Sequence, residues 1–141
     1  MTVVRRQKPK DPETSKPEIS GEVTGDLLQE ETDALNMALR QAEQVIEEMR
    51  YGVWAEVDLR PGAILTFKKK GREWGLYVAQ QNDEVPVTSA SRADRIAAAQ
   101  QIPALIEAIR KAALRELESV KEARQKVAQF VKDVRDGKYN V

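Results

Sequence analysis

The chain has 141 residues, 33% of them charged and 41% hydrophobic, and its 23 basic and 23 acidic side chains leave no formal net charge. It contains neither cysteine nor histidine, which excludes disulfides, thiolate nucleophiles and soft-metal centres and removes the commonest general base and transition-metal ligand. The length suits a single domain, and no apolar run approaches the ~20 residues that span a bilayer.

The zero balance conceals a segregation. Residues 1–25 sum to +1, residues 26–50 to −5, residues 51–90 to 0 and residues 91–141 to +4. An acidic and a basic segment within one chain point to internal or dimeric pairing before they point to a uniformly charged binding surface.

Residues 1–25 hold Pro9, Pro12, Pro17, Gly21 and Gly25 among Lys, Glu, Ser and Thr, with no periodicity. They read as a disordered arm, basic over its first ten residues through Arg5, Arg6, Lys8 and Lys10. No apolar stretch follows these cations, so a signal peptide is not expected and a cytoplasmic protein is.

From 26 to 50 the pattern turns helical. Leu28, Leu35, Ala42 and Met49 recur every seven residues, with Ala38, Leu39, Val45 and Ile46 on the same face. Asp26 is placed to cap this helix and Gly52 to stop it. The period then becomes two. Val53, Ala55, Val57 and Leu59 share one face, "RPG" (60–62) turns, and "AILTFK" and "EWGLYVA" form the arms of a hairpin. "QQNDE" reads as a polar loop and "VPVTS" as a fourth, edge strand, since Pro86 lacks a ladder donor. A sheet over 53–89 results.

"SRAD" (91–94) has capping-box spacing and opens a last helix over 92–136, which Pro103 is expected to kink or divide. Beyond it Ile106, Ala113, Val120, Val127 and Val134 repeat every seven residues, joined by Ile109, Leu117, Ala123 and Phe130, and Gly137 closes the helix ahead of a short tail, 137–141. The expected architecture is α+β: arm, amphipathic helix, four-stranded antiparallel meander and long C-terminal helix, with 26–136 one domain. Residues 104–135 span about 48 Å as helix, against about 23 Å for a seven-residue strand. The far half of the helix must therefore overhang the sheet. Its stripe Val120, Ala123, Val127, Phe130 and Val134 needs a cover, which is either the first helix or a second copy of the chain.

The stretch "FKKKGREWGLY" (67–77) mixes cations with aromatics. The apolar pattern selects a register in which Phe67 opposes Trp74, Leu65 opposes Leu76 and Ala63 opposes Val78, all on one face. Phe67 and Trp74 then belong to the core, and Lys69, Lys70 and Arg72 form a basic hairpin tip. The other face carries Trp54, Ile64, Thr66, Lys68 and Tyr77, more apolar than a solvent face requires and so a candidate partner-binding face if both helices lie on the opposite side.

No catalytic, cofactor-binding or metal-ligating set emerges. Glu30/Glu31 and Glu47/Glu48 are neighbours on helices and diverge, and "GREWG" lacks the Lys-Ser/Thr of a phosphate loop. The expectation is a non-catalytic, self-associating protein-interaction module, most simply a homodimer or a partner of another protein, without a small-molecule substrate or a membrane. In element order alone, over residues 53–115, the chain also resembles the Whirly and Pur-type DNA-binding domains. That resemblance implies a single-stranded nucleic-acid binder, with Trp54 and Tyr77 stacking on bases and Lys68, Lys69, Lys70 and Arg72 meeting phosphates.

Overall fold

The computed structural model describes residues 24–138; the expected arm and the end of the expected tail fall almost entirely outside them. The described chain is α+β: helix α1 (Gly25–Glu48), strands β1 (Ala55–Arg60), β2 (Ala63–Lys70), β3 (Glu73–Gln80) and β4 (Asp83–Pro86), a 3-10 turn (Val87–Ser89), and helix α2 (Arg92–Arg135). The strands form one antiparallel meander in chain order. Two compact units divide within α1, one ending at Asn36 and the other starting at Met37.

The described part of the first unit is the opening turns of α1. Thr24, not Asp26, is the cap: its Oγ1 accepts a hydrogen bond from the Leu27 backbone N–H at 3.0 Å. Asp26 lies in the first turn, where a carboxylate complements the helix dipole.

In the second unit α1 ends before Gly52. Arg50 adopts a left-handed backbone conformation (φ 59°) and its N–H donates to the Glu47 carbonyl at 3.0 Å, so the chain turns two residues earlier than the glycine suggests. At "RPG" the chain combines two devices. Pro61 and Gly62 (φ 83°) occupy the central positions of a two-residue turn, and a bulge between Asp58 and Arg60 lets Val57 face Leu65 while Arg60 faces Ala63.

The central hairpin keeps the expected faces with a different register. Phe67 opposes Leu76 and Lys69 opposes Trp74, because the turn is Gly71–Arg72 with strands closing at Lys70 and Glu73. Gly71 alone takes positive φ (62°) there, as a glycine-first hairpin turn requires. A slip of two residues preserves every side chain's face, so the inner set survives. Phe67 and Trp74 become diagonal neighbours and still stack, centroids 5.2 Å apart and planes inclined by 17°.

"QQNDE" is not a loop of five residues. Gln80 pairs with Asp83, and Gln81 at φ 48° makes the tight turn. β4 is therefore Asp83–Pro86, and Val87–Ser89 leaves the sheet as a 3-10 turn.

Helix α2 runs without interruption through Pro103 for 44 residues, about 66 Å, so no second segment starts there. The Ser91 Oγ accepts from the Asp94 N–H at 3.1 Å. At the other end the Lys138 N–H donates to the Asp133 carbonyl and the Gly137 N–H to the Val134 carbonyl, a glycine-terminated C-cap. The core of this unit joins Leu39 and Ile46 of α1, Ala55, Ala63, Leu65, Phe67, Leu76 and Val78 of the sheet, and Ala98, Leu105 and Ile109 of α2. α2 lies along β1 and β2.

Candidate interaction surfaces

The docked start of α2 is held by charge as well as by apolar packing. Asp94, at the third position of the helix, is buried, and its carboxylate accepts from Arg60 Nε at 2.8 Å and from Arg60 Nη2 at 3.1 Å. Arg60 Nη2 also donates to Gln80 Oε1 at 2.6 Å. The hydrogen bonds from Arg60 hold the Asp94 carboxyl below its ordinary range, against the opposing effect of burial. The aspartate interacts with its cap residue Ser91 and also ties the helix to the end of β1.

From that anchor the face of α2 turned to the sheet can be followed down the helix. Leu105 and Ile109 are 0% and 1% exposed. Ala113 is half-buried. Leu117, Val120 and Val127 are 50%, 56% and 62% exposed. Ile109 and Val127 are about five full turns apart, hence on the same side of the cylinder, so the bare stripe continues the sheet-packing face beyond the end of the sheet. Ala123 and Phe130 on it are exposed and Val134 is half-buried. Where the stripe leaves the sheet, Arg50, Tyr51 and Val53 stand opposite Ala113, Leu114, Leu117 and Val120 across a groove of ≈ 560 Å³. Of the groove's lining, the periodic patterns mark Ala113, Leu117 and Val120 on the helix and Val53 on the strand side. Tyr51 and Leu114 lie off both periodic patterns: the turn after α1 brings Tyr51 to the groove, and Leu114 reaches it from the flank of α2.

The outer face of the sheet gathers Trp54, Ile64, Thr66, Lys68 and Tyr77. Trp54 is 63% exposed, with Nε1 donating to Thr66 Oγ1 at 2.8 Å. Thr66 is buried; Ile64, Lys68 and Tyr77 are half-buried. Lys68 Nζ stands 5.5 Å from the centre of the Trp54 ring and Lys70 Nζ 4.4 Å from that of Tyr77. Both lysines also contact Glu84, at 2.6 Å each. The hydrogen bonds from Lys68 and then Lys70 lower the Glu84 pKa, and the bond to Glu84 raises that of Lys70.

The basic tip is thereby divided. Lys69 projects from the inner face opposite Trp74 and Arg72 sits in the turn, both exposed, whereas Lys70 folds onto the outer face toward Glu84. Glu84 was missed because "QQNDE" reads as a loop. Its signal is the Gln80–Asp83 pairing, which puts Glu84 opposite Ala79 on the outer face.

Glu43 on α1 meets the sheet elsewhere. Its Oε2 accepts from the Leu76 backbone N–H at 2.7 Å, on the part of β3 that β4 is too short to pair. A Cβ on Gly75 would stand 3.0 Å from the same oxygen and 3.2 Å from the Tyr77 ring, so the glycine leaves room for both. Among the described residues no group of three or more acidic side chains is placed to hold a metal ion, and no helix is long and apolar enough to cross a membrane. Compared with protein-family models, curated proteins and solved structures, the chain matches none of them.

Proposed function

We propose that this protein is a non-catalytic, cytoplasmic interaction module that associates with itself, as a dimer, through the overhanging half of α2. The observation that carries this reading is the exposure of Leu117, Val120 and Val127 on the face that Ile109 buries about two to five turns earlier in the same helix. Fully burying aliphatic side chains of this size is worth about 1.5–3 kcal/mol each, and a contiguous stripe of them left in water marks a contact surface. Pairs such as Glu118–Lys121 and Gln129–Asp133 on the overhang support the helix locally but contribute only tenths of a kcal/mol each, about 0.2–0.5, and leave the stripe uncovered.

Sedimentation velocity of the intact chain beside a Val120→Glu/Val127→Glu variant tests the reading. The intact chain is expected to sediment as a dimer and the variant as a monomer with unchanged circular dichroism. A monomeric intact chain across the accessible concentration range ends the proposal.

A second reading, binding of single-stranded nucleic acid, draws on Trp54, whose exposed ring lies beside Lys68. It is the weaker of the two. Lys68 and Lys70 already share Glu84, so a phosphate must displace a carboxylate from both. Titration of a fluorescent oligonucleotide at low and high salt separates the readings. Steeply salt-dependent affinity lost in Trp54→Ala favours the second, and no binding at low salt removes it.

A further inference from the structure

The exposed stripe and the groove at its root define how two copies fit together, and this inference rests on the self-association proposed above. We infer that the dimer is an antiparallel pair of α2 helices with its two-fold axis between Lys121 and Glu122. In it, Val127, Phe130 and Val131 of each copy enter the other's groove beside Tyr51, Val53, Leu114 and Leu117.

Sterics decide the direction. The stripe continues the face that holds Ala98, Leu105 and Ile109 against the sheet. Two α2 helices facing each other in parallel and in register would bring each sheet into the space of the other's N-terminal half. Reversing one helix places the two sheets at opposite ends, and each overhang, about 32 Å from Arg115 to Arg135, runs along the other. The same operation is a closed two-fold, so association stops at two.

Residue pattern sets the register. With Val120 against the partner's Ala123, Ala113 falls against the partner's Phe130, so a small side chain meets a larger one at both layers. Glu116, which interrupts the stripe, comes beside the partner's Lys126, twice by symmetry. A parallel pair would set Glu116 against its own copy and Ala123 against Ala123, a like-charge contact and a void on the seam. One flank of the stripe reads Arg110, Leu117, Arg124, Val131 at intervals of seven. Antiparallel packing brings the same flank of each copy together, so Leu117 meets the partner's Arg124 and Val131 the partner's Arg110. Arginine stems then cover aliphatic side chains and no two cations touch.

The register also accounts for the groove. Its α2 wall, Arg110 to Val120, lies level with residues 123–133 of the other copy, and the helix ends at Gly137 soon after passing the turn at Tyr51. A helix capped much earlier would leave the groove empty, and a much longer helix would meet the sheet.

Because the chain has no cysteine, single introduced thiols report the arrangement directly. Glu116→Cys and Val127→Cys are made separately in the full-length chain, mixed, and oxidised with a mild disulfide reagent. The expected product is a disulfide between the two different chains that carries most of the cross-linked material. Each variant alone should stay largely uncross-linked, since identical positions lie about 16 Å apart along the pair. Ala113→Cys mixed with Phe130→Cys supplies a second pair with the same expectation, identical positions there lying about 26 Å apart along the pair. Cross-linking of each variant to itself overturns the antiparallel arrangement and leaves self-association standing. A dimer by sedimentation with no cross-link from either pair places the contact elsewhere and also overturns it. A monomer by sedimentation removes the proposed function together with this inference.

Discussion

The two halves of α2 carry one pattern and meet opposite fates. Ala98, Leu105 and Ile109 are buried, while Leu117, Val120 and Val127, on the same side of the same helix, are at least half exposed. The difference lies in what is opposite them. β1 and β2 are short, and past Val53 no strand remains for the helix to cover. An apolar stripe thus records that a helix face seeks a cover and carries no information on which molecule supplies it.

The covered half breaks first. Leu105→Ala should cost about 2–5 kcal/mol, because a fully buried side chain leaves a cavity as well as a lost transfer free energy. Chemical denaturation of the monomeric background reads this directly. A loss below about 1 kcal/mol would mean that the two halves differ less than their burial implies.

The anchor of the covered half comes next. Asp94→Ala removes the charge-assisted hydrogen bonds from Arg60 and is expected to cost about 1–3 kcal/mol. Its pH dependence has a definite sign. The folded-state pKa of Asp94 is depressed, so its contribution is present above the unfolded value, about 3.9 for an aspartate, and is lost as pH falls through the folded one. The gap in melting temperature between the native chain and Asp94→Asn should therefore be constant near neutrality and close only on acidification below about pH 4.

Glu43→Ala frees the Leu76 N–H at the open edge of β3 and should cost about 1 kcal/mol, with faster amide exchange at Leu76 than at paired positions of β3. Smallest is the effect of Val127→Ala on the isolated chain, within about 0.5 kcal/mol at concentrations where the protein is monomeric. The same substitution should weaken the dimer, so its effect on stability grows with protein concentration. A concentration-independent effect as large as that of Leu105→Ala would erase the distinction between the halves.

Much of the fold was legible in residue pattern, and the errors share a cause. The inner and outer sets of the central hairpin followed from alternation, yet Phe67 was set against Trp74 where it meets Leu76. Alternation is blind to a slip of two residues, and the choice of Gly71–Arg72 as the turn settles it. The outer face was assembled from Trp54, Ile64, Thr66, Lys68 and Tyr77 by the same alternation, and those residues do lie together. Glu84, which changes the electrostatics of that face most, was out of reach because a two-residue turn with Gln81 at positive φ has no marked sequence signal. Lys70 was placed at a free tip for the same reason: nothing near it in the chain reveals the carboxylate that draws it back.

The amino-acid sequence by itself determined the order of the elements, the faces of the strands, the overhang of α2 and its stop at Gly137. These rest on periodicity, chain length and local backbone preference, all of which act over a few neighbouring residues. Only the tertiary structure decided the strand register, the Arg60–Asp94 tie, the sharing of Glu84 by two lysines and the groove at Tyr51. Each of these joins groups distant in the chain, and their meeting is set by the turns and the packing that bring the elements together.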